Sequence, residues 1–224
     1  MDSLDQLALD VIACRACPRL VAWREEVAAV KRAAYREWTY WGRPVPGFGD
    51  PEARIVVVGL APAAHGANRT GRMFTGDRSG DFLYASLHRM GLANQPDATD
   101  RHDGLVLNDV YITAPVRCAP PQNKPTAAER EACRPFLMRE LALLTQVRVF
   151  VALGAIGYGA LAAELGIRPR PAFAHGLAAP APGGATVLCS YHVSQQNTFT
   201  GRLTPDMLDE VFARALELAG APAG

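Results

Sequence analysis

The chain has 224 residues, a length that predicts a single domain spanning residues 1–224. Hydrophobic residues make up 49% of the chain and charged residues 20%, and this globular composition excludes a mainly disordered protein. Lys and Arg total 23 against 22 Asp and Glu, so the net charge of +1 does not indicate a nucleic-acid binder unless the basic residues cluster locally.

The start of the chain and its cysteines indicate a compartment. No apolar run approaches the roughly 18 residues that a membrane-spanning helix needs, and the first six residues, MDSLDQ, hold two acids and no basic cluster. We therefore expect a cytoplasmic protein without a leader peptide that does not bind membranes. Five cysteines are an odd number, and in a chain without an export signal they favour metal or cluster ligation over disulfides.

Capping motifs and hydrophobic spacing predict helices that alternate with four apolar, β-rich runs. In chain order the predicted elements are a helix opened by Ser3 and Gln6, strand 54–61, helix 79–90, strand 110–116, a helix opened by Thr126 and Glu129 that reaches about Leu144, strand 147–154, helix 155–165, strand 186–193 and a final helix opened by Thr204 and Pro205. Nearly continuous apolar strands are typical of a sheet buried on both faces. The sequence therefore predicts an α/β fold, a three-layer α/β/α sandwich around a four-stranded, mostly parallel sheet.

The loop after the first predicted strand is a candidate binding segment, because ligands of such folds bind beyond the carboxyl ends of the strands. Residues 59–77, GLAPAAHGANRTGRMFTGD, are long for a connection to a helix and lack the Gly-Lys-Ser/Thr of a P-loop. Their glycines allow close backbone approach to a ligand, although a solvated linker is the alternative. The polar side chains of this loop are His65, Asn68, Arg69, Thr70, Arg72 and Asp77.

The loops after the second and fourth predicted strands are also polar. Asn123, within RCAPPQNKP (117–125), can offer a donor and an acceptor to a base, but a turn between prolines is the simpler interpretation. His192 lies in the acid-free segment SYHVSQQNTFTGRL (190–203), which could equally be a polar surface turn. The three loops together hold six basic residues and one acid, which predicts a polyanion-binding edge unless the clustering is chance. The basic residues are Arg69, Arg72, Arg78, Arg117, Lys124 and Arg202, and the acid is Asp77.

Four cysteines are candidate metal ligands. Cys14 and Cys17 form a C-x-x-C pair, and Cys118 and Cys133 lie far along the chain. Four thiolates can bind zinc or an iron–sulfur cluster, and the absence of a second C-x-x-C pair favours the cluster. A thioredoxin-like pair is disfavoured because the first pair is predicted to lie in an N-terminal helix, and Cys189 is predicted to be a buried core thiol.

Together these motifs resemble the uracil-DNA glycosylase superfamily, most closely its family 5, the type-B enzymes. The matching segments are CRACPRL (14–20), GLAPAAHGANRTGRMFTGD (59–77), VYITAPVRCAPPQNKPT (110–126) and SYHVSQQNTFTGRLT (190–204). The resemblance implies a sandwich around a four-stranded parallel sheet. It also implies a monofunctional DNA repair enzyme that flips uracil out of DNA and hydrolyses its N-glycosidic bond, leaving an abasic site.

The resemblance also implies specific roles for residues. The expected catalytic groups are Asp77, His192 and Asn123; the base pocket is Gly59, Ala61, His65 and Phe74; the DNA contacts are Asn68, Arg69, Arg72, Lys124, Ser194, Gln196, Asn197 and Arg202; and a structural 4Fe–4S cluster would be held by Cys14, Cys17, Cys118 and Cys133. No dissociable cofactor and no obligate protein partner is expected. Leu60 and Ala114 stand where the sister family 4 has an acid and a base-reading Asn, so other deaminated bases such as hypoxanthine are expected substrates.

The chemistry of base excision suits a single carboxylate. Breaking the bond produces an oxocarbenium-like sugar and an anionic base, so Asp77 can stabilise the cation and orient water while His192 stabilises the leaving base. Phe74 can stack on the base, although core packing is about as consistent with the sequence, and Asp77 could instead cap the helix near Ser79. The alternatives to an enzyme are an iron–sulfur electron-transfer protein and a non-catalytic module that binds lesions.

Overall fold

A computed structural model describes residues 2–220, and its centre is a parallel sheet. The strands are β1 (Phe48–Gly49), β2 (Ile55–Val58), β3 (Val110–Thr113), β4 (Val149–Leu153), β5 (Ala178–Pro180) and β6 (Thr186–Ser190). They lie in the order β1-β3-β2-β4-β6-β5, with the four apolar runs as parallel neighbours in the middle. The predicted domain 1–224 stays a prediction, and Met1 and residues 221–224 lie outside the described residues.

The sheet has six strands, so the predicted count of four is wrong. Two short strands lie antiparallel at the edges, where Phe48 pairs with Ile112 and Ala179 pairs with Val187. They were missed because strands of two and three residues are too short to show an alternating pattern. The proline that ends β5 is also a residue that sheets tolerate at an edge.

Helices pack on both faces of the sheet, and the predicted α/β class with a mostly parallel sheet is confirmed. The helices are α1 (Leu4–Ala13), α2 (Pro18–Val30), α3 (Ala67–Thr70), α4 (Arg78–Arg89), α5 (Ala127–Leu143), α6 (Gly154–Glu164), α7 (Gln195–Phe199) and α8 (Pro205–Leu218). In β2, Val57 packs with α4 and α8, whereas Val56 and Val58 pack with α6. Successive side chains of a strand point to opposite faces, so β2 is buried in both layers. None of the helices in residues 2–220 is both long and apolar enough to span a bilayer.

The predicted caps begin three helices. The Ser3 hydroxyl accepts the Gln6 amide at α1, Thr126 and Glu129 form the capping box of α5, and Thr204 precedes Pro205 at α8. The C-x-x-C pair differs from its prediction. Cys14 ends α1 and Cys17 precedes α2, so the pair lies in the turn between two helices rather than within one.

A buried ion pair attaches α5 to the end of β3. Arg117 donates to both carboxylate oxygens of Glu140, at 3.1 and 2.5 Å, and both side chains are 1% exposed. Tyr111 and Thr113 of β3 donate to the same carboxylate. Because four donors converge on one buried acid, the segment that leaves β3 has a fixed path toward the carboxyl edge of the sheet.

Candidate active site

The carboxyl ends of β2, β3, β4 and β6 open into a cavity of about 490 Å³. Each strand contributes the residues that immediately follow it, as expected where parallel strands end at one edge. The predicted site residues that line this cavity are Ala61, Phe74, Asp77, Asn123, His192, Ser194, Gln196 and Asn197. The structure therefore brings residues from three separate loops together around one space.

Asp77 both lines the cavity and caps α4. Its Oδ1 accepts the backbone N–H groups of Ser79 and Gly80 at 3.0 and 3.1 Å, so the helix-capping alternative and the active-site interpretation describe the same side chain. Capping uses Oδ1 and fixes the rotamer. Its Oδ2 lies so close to Gly66 that a Cβ there would overlap it. A glycine at position 66 is therefore required for this placement of the carboxylate.

Asp77 is partly buried in the wall of the cavity. Burial raises the pKa of this carboxyl above its ordinary value, and the amides of Gly80 and Ser79 oppose that effect in part. A carboxylate with little solvation interacts strongly with a nearby positive charge, because few water dipoles screen it. The group is therefore suited to stabilise a cation that forms inside the cavity.

Phe74 is held in an unusual backbone conformation beside the cavity. Its φ of 51° lies in the left-handed region, which is strained for a side chain of this size. Tyr84 donates to the neighbouring Met73 carbonyl at 2.7 Å, and a Cβ on Gly80 would overlap the Phe74 carbonyl oxygen. The ring packs on Gly59, where a Cβ would lie 2.8 Å from Cζ. Strain maintained by several contacts is typical of functional positions.

His192 lines the cavity as well. Its ring centroid lies 6.4 Å from that of Phe74, and its carbonyl accepts the Asn197 side-chain amide at 2.8 Å. Gly154, with a φ of 85°, allows the close approach of His192, since a Cβ there would lie 3.1 Å from the histidine Cβ. Burial lowers the pKa of His192, which favours the neutral imidazole. A neutral imidazole offers one N–H donor to a group in the cavity.

Asn123 reaches the cavity from an exposed turn. It ends the 3-10 helix Pro121–Asn123, and both Gln122 and Asn123 have left-handed backbone conformations. Gln122 also lines the cavity, although the sequence did not single it out. Asparagine tolerates this conformation better than most residues, so the turn presents its amide without requiring glycine.

Three predicted DNA contacts are buried, which corrects the expectation that they touch phosphate. Asn68 and Arg69 are 0% and 3% exposed, and Asn68 donates to the Arg24 carbonyl at 3.2 Å. Arg69 donates to the His65 and Gly76 carbonyls at 2.8 and 2.7 Å, with its guanidinium near the rings of Tyr35 and Trp38. These side chains fold the loop 59–77 onto itself, and their donors face the protein rather than solvent.

Arg72 is the third buried contact. It is 4% exposed and donates to both carboxylate oxygens of Asp103 at 2.8 and 2.7 Å and to the Thr75 hydroxyl at 2.9 Å. Burial alone would raise the pKa of Asp103, but the hydrogen bonds from Arg72 and backbone amides lower it to about 2. Arg117 is also paired internally, so of the six basic loop residues only Arg78, Lys124 and Arg202 are exposed. The predicted basic edge is thus much smaller than the loop charges suggest.

Two residues predicted for the base pocket lie outside the lining of the cavity. His65 faces Tyr40, with 3.1 Å between its Nδ1 and the phenol oxygen. Gly59 lies behind Phe74 and supports that ring, as described above. His65 is therefore not among the residues that line the cavity, and its role as a base contact stays a prediction.

The sequence also missed part of the cavity wall. Gly154, Ala155 and Ile156, where α6 begins, line the cavity, and so does Ser79 of α4. Ile156 is 50% exposed. The signal was available, because β4 is parallel to its neighbours and the residues after it must reach the same edge.

Comparison with known proteins identifies the family. The family described as "Uracil DNA glycosylase superfamily" matches residues 46–216, more than half of the chain. The chain belongs to the uracil-DNA glycosylase superfamily. The predicted resemblance is thereby confirmed, and the three cavity-forming loops all lie within the matched residues.

Curated relatives within the superfamily distinguish its types. A "Type-5 uracil-DNA glycosylase" of Mycobacterium leprae is 56% identical over 97% of this chain and 96% of its own length. A protein of the same description from Thermus thermophilus is 59% identical over 93% of this chain and 94% of its own length. A "Type-4 uracil-DNA glycosylase" of Pyrobaculum aerophilum is 35% identical over 58% of each chain. The chain is thus much more similar to the type-5 relatives, as the resemblance to family 5 implied.

The four cysteines predicted to hold the cluster line one small cavity. Cys14 and Cys17 reach it from the turn between α1 and α2, Cys118 from the loop after β3 and Cys133 from α5. Burial raises the pKa of the Cys17 and Cys118 thiols and raises that of Cys133 to about 11. Within residues 2–220, no three histidine, cysteine or acidic side chains form a group that could hold a single metal ion.

Arg24 tests whether this cavity suits a cluster. Its guanidinium, 2% exposed, donates to the Cys118 sulfur at 2.9 Å and to the Cys14 carbonyl at 3.3 Å, and its Nε has no partner although it is buried. A buried cation requires nearby negative charge. The Glu25 carboxylate lies 3.8 Å from Arg24, and thiolates bound to a cluster would add negative charge on the side of Cys118. Four cysteines around one apolar cavity, with a cation beside them, therefore fit a thiolate-ligated group.

Proposed function

We propose that the chain is a monofunctional DNA repair glycosylase that flips a deaminated base into the 490 Å³ cavity and hydrolyses its N-glycosidic bond, leaving an abasic site. Uracil-DNA glycosylase activity, a hydrolysis of N-glycosyl bonds, follows from membership in the superfamily. The roles of individual residues, the range of bases and the cluster are our proposal. Its main support is that Asp77, Phe74 and His192 line the same cavity.

Asp77 acts on the sugar. As the bond to the base breaks, the sugar gains positive charge, and the carboxylate stabilises that charge while it orients the attacking water. Oδ1 is fixed by the Ser79 and Gly80 amides, so the carboxylate needs little reorganisation when the charge develops. No second acid is needed, because the leaving base departs as a delocalised anion.

His192 and Asn123 act on the base. A neutral His192 donates its N–H to a carbonyl oxygen of the leaving base, where negative charge develops. One well-placed donor of this kind contributes about 3 kcal/mol to the barrier. Asn123, presented by its turn, offers an amide donor and acceptor to the base edge or to the backbone beside it.

Phe74 and the cavity wall set the range of bases. The Phe74 ring stacks on the flipped base and offsets part of the few kcal/mol that unstacking costs. Leu60 and Ala114 line the cavity and offer no side-chain hydrogen bond to a base edge. A wall that reads few polar groups discriminates weakly between bases, so we propose hypoxanthine as a substrate besides uracil.

The exposed groups around the cavity bind the DNA backbone. Lys124 and Arg202 are exposed and bind phosphate groups of the DNA backbone. Ser194, Gln196 and Asn197 line the cavity at the start of α7 and donate hydrogen bonds to phosphate or sugar oxygens. This set replaces the buried Asn68, Arg69 and Arg72 as the proposed phosphate-binding surface.

A structural 4Fe–4S cluster held by Cys14, Cys17, Cys118 and Cys133 completes the proposal. When bound, it would cross-link the turn between α1 and α2 to the loop after β3 and to α5. Ala61 lines the base cavity and also packs against the group that contains Cys118, so the two sites share a wall. We place the enzyme in the cytoplasm, where thiols stay reduced and available to iron.

Replacement of Asp77 by asparagine tests the catalytic proposal. Asparagine keeps the helix cap but removes the negative charge, so excision of uracil from a duplex falls about 10²- to 10³-fold while DNA binding persists. Strand breaks after alkali measure excision. Asp81→Asn, an exposed carboxylate one turn along α4, is the matched control and keeps normal activity. Full activity of Asp77→Asn would disprove the assignment.

The same variant has a second expected property, increased stability. The pKa of Asp77 is higher in the folded protein than in the unfolded chain, so its contribution to stability is favourable below the unfolded value and is lost as pH rises through the folded value. At neutral pH the ionised group therefore opposes folding, and Asp77→Asn melts at a higher temperature than the parent. The difference shrinks as the pH falls toward the ordinary pKa of aspartate.

A further inference from the structure

His175 is attached to the residue that precedes His192. Its Nδ1 accepts the backbone N–H of Tyr191 at 3.1 Å, and its ring stacks on the Tyr191 ring with centroids 5.0 Å apart and planes 19° apart. Tyr191 is the first residue after β6, so this contact acts where the chain leaves the sheet to enter the cavity wall. Nothing in the catalytic proposal uses His175.

The segment that carries His175 is itself fixed to β6. Gly176 donates to the Cys189 carbonyl at 2.8 Å, and Cys189 donates to the Leu177 carbonyl at 2.8 Å. The histidine is therefore mounted on the edge of the sheet rather than on a free loop. A ring fixed in this way can impose its geometry on Tyr191, because the sheet resists displacement.

Arg202 contacts the same tyrosine ring. Its guanidinium carbon lies 4.6 Å from the ring centroid of Tyr191, within the range of a cation–π interaction. We call His175, Tyr191 and Arg202 the Tyr191 stack. In this stack the Tyr191 ring contacts both His175 and Arg202, a proposed phosphate contact. Tyr191 is also linked to His192 by a peptide bond.

We propose that His175 is a positioning residue for base excision, which holds the Tyr191 backbone so that the His192 side chain faces the flipped base. The inference rests on the proposed function of His192. The contact requires a lone pair on Nδ1, and only a neutral imidazole provides one. Protonation at Nδ1 would break the bond to the Tyr191 amide and place a cation beside Arg202.

The charged groups around His175 come from α8 and from the Tyr191 stack. Glu210 of α8 raises the pKa of His175, whereas burial, the larger effect, lowers it. Arg214 of α8 donates to the Gly176 carbonyl at 3.2 Å, and Arg202 lies over the Tyr191 ring. The histidine is therefore neutral near pH 7 and gains its proton on the acidic side, which predicts a loss of turnover there.

Two substitutions of His175 distinguish the contribution of its hydrogen-bond acceptor from that of its aromatic ring. His175→Phe keeps a flat ring but removes the acceptor, and kcat at neutral pH falls about three- to tenfold with a smaller change in KM. His175→Asn places an amide oxygen near the position of Nδ1 and does not titrate. It keeps kcat within about twofold, and the acid limb of its kcat profile moves to lower pH. His102→Asn, an exposed histidine outside the cavity, is the control and leaves the profile unchanged.

Two further measurements distinguish failure of this inference from failure of the proposed function. If His192→Ala keeps full activity, the catalytic proposal for His192 is wrong. If His192→Ala is impaired but His175→Phe has the parent's kcat and pH profile, the positioning proposal is wrong. If both variants are impaired, we expect two further results. His175→Phe has no added effect on kcat in the His192→Ala background. Hydrogen exchange of the Tyr191 amide is faster in His175→Phe than in the parent protein. An additive loss, or unchanged exchange, overturns the proposal.

Discussion

At the scale of single residues, the arginines of the first loop show how burial changes the role of a charge. Arg72 and Lys124 are each adjacent in the chain to a residue that lines the cavity. Arg72 is nevertheless 4% exposed and paired with Asp103, whereas Lys124 is exposed. Arg72 uses three of its five N–H donors inside the protein, and its burial keeps the other two from a phosphate. The two residues are therefore expected to affect different properties of the protein.

Salt titrations of DNA binding separate these properties. Lys124→Ala and Arg202→Ala each reduce the slope of log K against log salt by about 1, because each loses one phosphate contact. Arg72→Met leaves the slope unchanged but lowers the free energy of unfolding by about 3–5 kcal/mol, since Asp103 is left without its partner. Denaturant unfolding measures the second effect. A reduced slope in Arg72→Met would restore the original interpretation of Arg72 as a phosphate contact.

At the scale of elements, α5 is held to the sheet by one acid. Glu140 receives hydrogen bonds from Arg117, Tyr111 and Thr113, and its pair with Arg117 is buried on both sides. The segment fixed in this way leads to the Asn123 turn and carries Cys118. The position of α5 therefore affects both the base cavity and the cysteine cavity.

Loss of this acid is expected to destabilise the fold strongly. Glu140→Ala leaves Arg117 buried without a countercharge and lowers the free energy of unfolding by about 3–5 kcal/mol in urea titrations. Glu131→Ala, an exposed acid on the same helix, changes it by at most about 0.5 kcal/mol. The double variant Arg117→Met/Glu140→Leu recovers the part of the loss that comes from the unpaired charge, while the Tyr111 and Thr113 hydroxyls still lack their acceptor. A small effect of Glu140→Ala would contradict the role given to this pair.

At the scale of the whole molecule, the cysteine cavity joins distant parts of the chain. The first two helices contribute Cys14 and Cys17, and Arg24 of α2 contacts both Cys118 and, through its carbonyl, Asn68 of the first cavity loop. A bound cluster would therefore stabilise the N-terminal helices and the cavity loops as one unit. We therefore expect loss of the cluster to lower the stability of the N-terminal helices and the cavity loops as well as that of the cysteine segments.

Absorption spectra and metal analysis test this expectation. Cys118→Ser loses the broad visible absorption and the iron of the purified protein and unfolds at a lower temperature. Cys189→Ala, a buried thiol in β6 away from the cavity, keeps its colour and iron. A colourless parent protein that contains zinc, or a Cys118→Ser variant with normal iron content, would contradict the proposed cluster.

Much of the fold was predictable from local patterns. The four apolar runs became the four central strands, and the capping residues Ser3, Thr126 and Thr204 begin helices where expected, because caps and periodicity act over a few neighbouring residues. β1, β5, α2 and the short helices α3 and α7 were missed. The two strands are held mainly by pairing with their neighbours, and α2 begins at Pro18 without a side-chain cap.

The candidate site was likewise predictable in part from the sequence. The sequence by itself determined the α/β architecture, the family and the three loops that meet at the carboxyl edge of the sheet, since these follow from short contiguous motifs. Only the tertiary structure decided that Arg69 and Arg72 are internal, that His65 faces Tyr40 and that His175 supports Tyr191. Burial and pairing depend on residues far apart in the chain, such as Arg72 with Asp103, and a local pattern of side chains carries no information about them.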